Sequence, residues 1–299
     1  MKDDEPSATA RLIARSLLLL SQDPTGSLLV PPRCAETSAW FLAACGENPV
    51  RFQRLAQQSW FRRLLLQAEQ LTAPGILMHY VLRKRWIEEA VREGLAAGAQ
   101  QVVVLGAGFD TLAWRLDREY PKVEFWEFDH PATQAAKQAA LAAHEPPAAN
   151  LYFGTLNLAA ERLKEALVSA PGYQLQLETV FVAEGLLMYL EPEQVTTLFR
   201  DAQAASGPGS RFAFTFLEPQ ADGRTGFAGR NRFVNWWLRR RGEPFRWGAS
   251  HREVKSFLNA SGWRLQEIIA PPDLRRRYLM EELPRSATGD FIGLADWKS

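Results

Sequence analysis

The sequence has 299 residues, of which 46% are hydrophobic and 23% charged, a composition typical of a soluble enzyme with one elaborated α/β domain or two smaller ones. Its formal net charge of +1 gives no electrostatic reason to expect nucleic acid or a membrane as a partner. Short apolar runs exclude a spanning helix, and the acidic MKDDEP start argues against a signal peptide, so we expect a cytoplasmic protein.

Residues 7 to about 98 show helical periodicity and contain no strand-like runs. Helix breaks are predicted at Pro24, Pro31-Pro32, Pro49 and Pro74-Gly75. The pattern predicts a helical N-terminal extension over residues 1–99 that packs on the following core.

From Gln101 onward, short apolar runs alternate with helix-like segments. The predicted strands are 102–105, 123–128, 151–153, 179–183 and 212–217, and the predicted helices are 111–118, 132–143, 159–168 and 192–205. This alternation predicts βαβ units in a parallel-rich, doubly wound α/β sheet within residues 100–299. A stretch rich in Gly and Arg at about 219–250 is typical of an inserted lid, and 262–265 with the final residues could supply closing strands.

The first predicted strand runs into Gly106-Ala107-Gly108, a turn that lets a ligand approach the backbone. The dinucleotide fingerprint requires a third glycine three residues later, where Thr111 stands directly after Asp110. A carboxylate at this position would repel a diphosphate, whereas it would tolerate or favour an ammonium group. The turn therefore indicates a nucleotide-like ligand without a diphosphate.

A second carboxylate closes the next strand, in Glu127-Phe128-Asp129. At this distance from the glycine turn, Asp129 is placed to accept hydrogen bonds from both hydroxyls of a ribose. Alone, it could equally cap the helix that begins near Pro131. A ligand with a ribose at one end and a charged amino acid at the other is S-adenosylmethionine.

Three segments, VVVLGAGFDTLAWRL, FWEFDHP and FVAEGLLMYL, resemble in this order the leucine carboxyl methyltransferase family, particularly its bacterial branch. The resemblance covers roughly residues 74–219. It implies a class I (Rossmann-like) methyltransferase fold and O-methylation of a carboxylate on a small molecule or peptide, with S-adenosylmethionine as cofactor. An alcohol or phenol acceptor is the close alternative.

The resemblance also implies roles for individual residues. Arg83 would pair with the cofactor carboxylate, Gly106, Ala107 and Gly108 would pass under the methionine part, and Glu184 would lie beside its ammonium group with Asp110 nearby. Asp129 would hold the ribose in the turn that contains His130. Asn157-Leu158 replaces an Asp-Leu pair that reads the adenine in the family. Independently of the resemblance, the lid residues Arg224, Arg230 and Arg232 are donors able to orient an acceptor carboxylate, and Tyr189 is a further candidate for acceptor binding.

Each of these residues also has an ordinary structural explanation. Arg83, Lys84 and Arg85 could form a solvated helix face, Glu184 and Asn157 could be turn residues, and Tyr189 could belong to the core. No histidine pair or cysteine pattern indicates a metal, and no residue is identified as catalytic. A carboxylate acceptor is ionised at neutral pH and needs no base, whereas an alcohol usually needs one, and no motif assigns such a role to His79 or His251.

Three other functions remain as alternatives. A nicotinamide-dependent oxidoreductase is disfavoured by Asp110 and Thr111, and a nucleic-acid methyltransferase is disfavoured by the neutral net charge. A catalytically silent binding protein that keeps the cofactor fold is disfavoured by the intact Asp129 and Glu184. The sequence does not determine the acceptor or the oligomeric state.

Overall fold

The computed structural model describes residues 6–219, 243–279 and 289–297. Helices occupy the part before the first strand: α1 (Ala8–Leu20), α2 (Gly26–Leu29), α3 (Cys34–Ala44), α4 (Pro49–Ala56), α5 (Ser59–Thr72) and α6 (Ile76–Ala97). All of the predicted breaks fall at helix boundaries. Pro49, for example, is the first residue of α4, where a missing backbone N–H costs nothing and the Asn48 side chain caps the Arg51 N–H.

The remainder alternates strands with helices. The elements are β1 (Gln101–Leu105), α7 (Leu112–Leu116), β2 (Glu124–Asp129), α8 (Pro131–His144), β3 (Leu151–Thr155), α9 (Leu163–Ser169), β4 (Thr179–Ala183), α10 (Pro192–Ala204), β5 (Arg211–Leu217), α11 (His251–Ala260), β6 (Trp263–Ile269), α12 (Pro271–Leu279) and β7 (Asp290–Trp297). All five predicted strands are present, with ends shifted by at most two residues. The closing strands are also present, as β6 and β7.

One helix begins later than predicted. The sequence pattern places its start at residue 159, but α9 begins at Leu163. The delay arises from Asn157, whose side-chain Oδ1 accepts from the Ala159 N–H at 3.1 Å and whose carbonyl accepts from the Glu161 N–H at 2.8 Å. This local turn takes the hydrogen bonds that an earlier helical turn would use.

The strands form one seven-stranded sheet in the order β3-β2-β1-β4-β5-β7-β6. Strands β1 to β5 are parallel, and β7 runs antiparallel between β5 and β6. The chain order reverses at β1, which has β2 on one side and β4 on the other. The predicted parallel-rich, doubly wound α/β fold is confirmed, and the carboxyl ends of β1 and β4 mark the position where such sheets bind ligands.

The sheet is covered on both faces. All residues of β1 and β4 are buried, and their side chains alternate between two apolar layers: Val102 and Val104 pack on the side of α1, α3, α6 and α8, and Val103 and Leu105 on the side of α9, α10 and α11. Continuous apolar runs, rather than alternating ones, are the expected signature of such strands. Within the described ranges, no helix has the length and apolar character needed to span a membrane.

The lid predicted at about 219–250 can be described only in part, because residues 220–242 lie outside the described residues. The returning segment from Glu243 packs on the sheet. The Ala249 N–H donates to the Leu217 carbonyl at 3.0 Å, and Trp247 is buried in the layer that contains α11.

Candidate functional site

A cavity of about 420 Å³ opens at the carboxyl ends of β1 and β4. Its volume falls within the roughly 300–1,000 Å³ of small-molecule sites. The eleven predicted site residues that lie in the described ranges all line it: Arg83, Gly106, Ala107, Gly108, Asp110, Asp129, His130, Asn157, Leu158, Glu184 and Tyr189. The three lid arginines, Arg224, Arg230 and Arg232, lie outside the described residues.

The turn after β1 brings bare backbone to the cavity. Gly106 and Gly108 adopt φ angles of +59° and +50°, a region that side-chain-bearing residues rarely occupy. A Cβ atom on Gly106 would also lie 2.8 Å from Leu186 Cδ1, so a larger residue there would require the Leu186 side chain to move. The Ala107 N–H pairs with the Phe128 carbonyl of β2 at 3.2 Å, which fixes the turn against the neighbouring strand.

Asp129, the last residue of β2, is bound to this turn. Its carboxylate accepts from the Gly108 N–H and, at 2.5 Å, from the His130 N–H. Burial raises the pKa of Asp129, and the two backbone donors offset part of that rise. His130 is the N-cap residue of α8, so Asp129 braces both the glycine turn and the start of this helix. Each carboxylate oxygen keeps a lone pair that can accept from a ligand hydroxyl.

Arg83 lies on the opposite wall, on α6, with its side chain almost fully buried. Its Nε and Nη2 donate to Glu184 Oε1 at 3.0 and 2.9 Å, and its Nη1 donates to Asp290 Oδ2 at 2.6 Å. Burial disfavours the charged form, but Glu184 and Asp290 outweigh it and raise the pKa of Arg83. Three of the five guanidinium N–H groups are used in these bonds, which leaves two for a ligand carboxylate.

Lys84, the next residue, joins two predicted cofactor contacts. Its Nζ lies 3.0 Å from Asp110 Oδ1 and 3.2 Å from Glu184 Oε2. Burial opposes ionisation of Asp110, but Lys84 and Lys137 outweigh it and lower the pKa of Asp110 to about 2. The two carboxylates at this end of the cavity are therefore held close together by a shared cation.

The interpretation of Arg83, Lys84 and Arg85 as one solvated helix face is wrong. Only 2% of Arg83 and 7% of Lys84 is exposed, and Arg85 is half-buried. The helix places the first two toward the sheet edge, where carboxylates compensate their desolvation.

Asn157, which the resemblance predicts to read the adenine, lines the cavity. Asn157 is exposed there, and its backbone N–H donates to Glu161 Oε2 at 2.6 Å. Leu156 and Leu158 form apolar walls beside it. The side chain of Asn157 shapes its own turn, and its amide oxygen, which accepts one hydrogen bond there, can accept a second.

Helix α1 closes the cavity on the side of Tyr189. The start of this helix is tied to Glu243, whose carboxylate accepts from the Ser7 hydroxyl at 3.0 Å, the Ala8 N–H at 3.2 Å and the Thr9 hydroxyl. The Tyr189 hydroxyl lies 3.5 Å from Thr9 Oγ1. Burial raises the pKa of Tyr80 to about 12 and also raises the pKa of Tyr189, so both phenols remain protonated at neutral pH.

The four histidines of the sequence all lie in described ranges, and only His130 lines the cavity. His79 is buried against Asp290, His144 stacks on Trp40 with ring centroids 4.7 Å apart, and His251 lies 3.3 Å from Glu218. In the described part of the chain, no group of three or more His, Cys, Asp or Glu residues could hold a metal ion.

Sequence reasoning did not identify three residues that line the cavity, Tyr80, Lys84 and Glu243, or Asp290, which does not line it but binds Arg83. For Lys84, the only signal in the sequence is its position directly after Arg83. For Tyr80, the helical repeat places it three and four residues before Arg83 and Lys84, and therefore on the same face of the helix. Glu243 and Asp290 follow regions without a clear pattern, and their partners lie more than 200 positions away in the chain. No local signal could have predicted those contacts.

The described geometry agrees with the sequence comparisons. The family model for leucine carboxyl methyltransferase matches residues 8–203. A provisionally named S-adenosyl-L-methionine-dependent methyltransferase of Mycobacterium avium is 34% identical over 189 residues, which are 62% of this chain and 61% of that protein. Another protein of the same name from that organism is 27% identical over 293 residues, covering 96% of this chain and 91% of its own. The first alignment thus spans about three fifths of the relative.

Solved structures show the same fold at low sequence identity. A provisionally named methyltransferase from Thermobifida fusca is 17% identical, with a TM-score of 0.55 over 87% of this chain and 94% of that one. A DUF574-family protein from Streptomyces avermitilis is 13% identical, with a TM-score of 0.57 over 99% of each chain.

Proposed function

Because the chain belongs to the leucine carboxyl methyltransferase family of S-adenosylmethionine-dependent methyltransferases, we propose that it methylates a carboxylate oxygen of a small molecule or peptide. One observation carries this proposal: the residues of the family's motifs line a single cavity. Arg83, Asp110 and Glu184 provide charged groups in this cavity, and Leu156 and Leu158 provide apolar walls.

The residues present fit S-adenosylmethionine. The ligand's carboxylate would meet Arg83, and the ammonium group at the same end would meet Asp110 and Glu184, the second of which is itself paired with Arg83. Ribose hydroxyls would donate to Asp129, and an adenine ring would lie between Leu156 and Leu158 beside Asn157. Because Gly106 has no Cβ atom, the backbone at this turn is open to a ligand.

The chain contributes orientation and exclusion of water to the reaction. When bound, the cofactor would supply an electrophilic methyl group on a sulfonium. The ion pairs of Arg83, Lys84 and Glu184 fix these side chains relative to one another, so they would orient the amino-acid end of the cofactor, and Asp129 would orient the opposite end. Helix α1 covers the cavity between these ends, so the acceptor oxygen would react in a partly desolvated space.

A carboxylate acceptor suits the side of the cavity near Tyr189. Such an acceptor is ionised at neutral pH and needs no general base. The protonated phenols of Tyr80 and Tyr189 could donate to one carboxylate oxygen and leave the other free to attack. The only histidine on the cavity wall, His130, is adjacent to the predicted ribose contact rather than to these phenols.

Two measurements test the proposal. Calorimetry should detect binding of S-adenosylmethionine and S-adenosylhomocysteine but not of NAD or NADP, and the opposite result would overturn cofactor use. Incubation of a metabolite extract with methyl-labelled cofactor should then yield a labelled product that mild base hydrolyses, as expected for a methyl ester. A base-stable methyl ether would establish the alcohol or phenol alternative instead.

The matched control for both measurements is Glu184→Gln. It removes one of the two carboxylates bound by Lys84 and should weaken cofactor binding without abolishing the fold. Labelling that persists unchanged in this variant would indicate a contaminating enzyme.

A further inference from the structure

Helix α5 carries an apolar stripe that the protein leaves exposed. Trp60 is 59% exposed, Leu64 54% and Leu71 85%. Their spacings of four and seven residues place the three side chains on one face of the helix. Large apolar side chains exposed in a row, rather than singly, mark an interaction surface.

The stripe is not required to hold α5 in place. The other side of the helix makes the attachments: Phe61 packs edge-on against Phe52 of α4 with ring centroids 6.0 Å apart, and Arg62 Nη1 donates to the Ala56 and Gln57 carbonyls at 2.7 and 2.8 Å. Glu69 is buried and accepts from the Leu77 N–H at 3.3 Å. The stripe can therefore enter another environment without a change in the fold.

The two helices α4 and α5 also carry exposed arginines for which no described residue is an ion-pair partner. Arg51 and Arg54 on α4 and Arg63 on α5 are exposed, and none of them forms an ion pair with a described residue. Residues 49–72 contain four arginines, one glutamate, which is the buried Glu69, and no other charged residue. This local excess of positive charge is hidden in the chain's net charge of +1.

We propose that α4 and α5 bind reversibly to an anionic lipid surface. Trp60, Leu64 and Leu71 would enter the boundary between headgroups and acyl chains, and Arg51, Arg54 and Arg63 would face the lipid phosphates. A basic amphipathic helix with Trp and Leu on its apolar side is the pattern that lies in a membrane interface. The sequence predicts no membrane contact, because the net charge of the whole chain is only +1. Within the α4–α5 helix pair, however, four arginines face only one glutamate, so the local charge is positive. This proposal does not depend on the proposed methyl transfer.

A protein partner fits the same surface less well. A stable protein interface needs roughly 20–30 residues from each partner, whereas the stripe offers three apolar side chains. A second copy of the chain across a two-fold axis would also bring the same unpaired arginines face to face. A lipid surface needs only modest apolar insertion combined with charge attraction.

The test is cosedimentation of the full chain with vesicles of phosphatidylcholine alone or mixed with phosphatidylglycerol. We expect binding to the mixed vesicles only, weakened by salt. Leu64→Gln/Leu71→Gln should lower the partition coefficient about tenfold or more, whereas Leu28→Gln on α2 should not, although Leu28 is 79% exposed. Arg51→Gln/Arg63→Gln should reduce binding, whereas Arg252→Gln on α11, also exposed, should not.

Three results would overturn the proposal. The first is an absence of binding to the mixed vesicles, and the second is equal binding to both vesicle types. The third is a dimer in light scattering that Leu64→Gln/Leu71→Gln converts to a monomer, which would assign the stripe to a second copy. Circular dichroism and thermal unfolding of each variant check that the fold is retained, as the exposure of the substituted side chains predicts.

Discussion

His79 Nε2 lies 2.9 Å from Asp290 Oδ2, the oxygen that also accepts from Arg83 Nη1 at 2.6 Å. One fully buried carboxylate thus binds a histidine and an arginine on successive turns of α6. Burial opposes ionisation of Asp290, but Arg83 and His79 outweigh it and lower the pKa. His79 is thus bound to Asp290 and does not line the cavity. The bond from Arg83 to Asp290 also fixes the guanidinium group, so its remaining N–H groups keep one orientation.

Asp290→Asn should weaken cofactor binding, although Asp290 does not line the cavity. The substitution removes the charge that compensates buried Arg83, so we expect about a tenfold increase in the Kd for S-adenosylmethionine and a loss of about 1–3 kcal/mol in the free energy of unfolding. Calorimetry and urea unfolding measure the two effects. Asp296→Asn on the same strand, which breaks the exposed pair with Arg264, is the control and should change neither quantity much. Lower stability with unchanged affinity would leave Asp290 a purely structural role.

Asp129→Ala should affect both affinity and stability, because the carboxylate braces the Gly108 and His130 N–H groups as well as facing the cavity. We expect the variant to lose about 2–4 kcal/mol of cofactor binding and about 1 kcal/mol of stability. Asp129→Asn keeps one acceptor oxygen and should fall between the variant and the wild type in both measurements. If Asp129→Ala unfolds more easily but binds the cofactor as tightly per folded molecule, the ribose assignment is wrong.

The fold could be predicted largely from local patterns, and the site only in part. Short apolar runs predict buried parallel strands such as 179–183. The order of the elements then predicts that the glycine turn and the strand-end carboxylates meet at one edge of the sheet. The compensation of Arg83 by Asp290 and the attachment of α1 to Glu243 join positions more than 200 residues apart, and local periodicity carries no information about such pairs. The late start of α9 reflects a single side chain, Asn157, that competes with the helix.

Asn157→Asp alone should not restore the stronger adenine contact that the family residue would provide. The new carboxylate would lie close to Glu161, whose Oε2 is 2.6 Å from the Asn157 N atom, and the two like charges would repel each other. We therefore expect cofactor affinity within about threefold of wild type for this variant, since repulsion offsets the gain from a charged acceptor. The double variant Asn157→Asp/Glu161→Gln should bind several-fold more tightly than Asn157→Asp. Equal affinity of the two variants, measured by calorimetry, would show that Glu161 does not oppose the contact.

Glu127 should make the protein less stable as the pH rises toward neutrality. Its side chain is fully buried beside Lys137, with Nζ and Oε2 2.5 Å apart, and burial, partly offset by Lys137, raises its pKa from 4.5 to about 7. Between these values the folded chain holds a proton that the unfolded chain has released. The free energy of unfolding contributed by Glu127 is therefore fully present below pH 4.5 and is lost as the pH passes through about 7.

Glu127→Gln should remove this dependence. The stability of the variant relative to wild type should rise by about 2–3 kcal/mol between pH 4.5 and pH 8, at about 1.4 kcal/mol for each unit of pKa. Urea unfolding at several pH values measures the difference, and Glu124→Gln on the same strand provides the control. Parallel profiles for Glu127→Gln and wild type would mean that Glu127 ionises normally in the folded chain.

Tyr189 should contribute to acceptor binding, and no histidine should act as a general base. If the acceptor is a carboxylate held by phenol hydroxyls, Tyr189→Phe should raise the KM for the acceptor about tenfold, the effect of roughly one lost hydrogen bond to a charged group, and change kcat less. His79→Gln and His251→Gln should leave turnover within about tenfold, since a general base typically contributes 100-fold or more and neither side chain reaches the cavity. The kcat/KM profile should show no rising limb between pH 6 and pH 8, because neither the acceptor nor the phenols change their protonation there. A rising limb that disappears with one histidine, together with a neutral effect of Tyr189→Phe, would identify a base-assisted transfer to an alcohol.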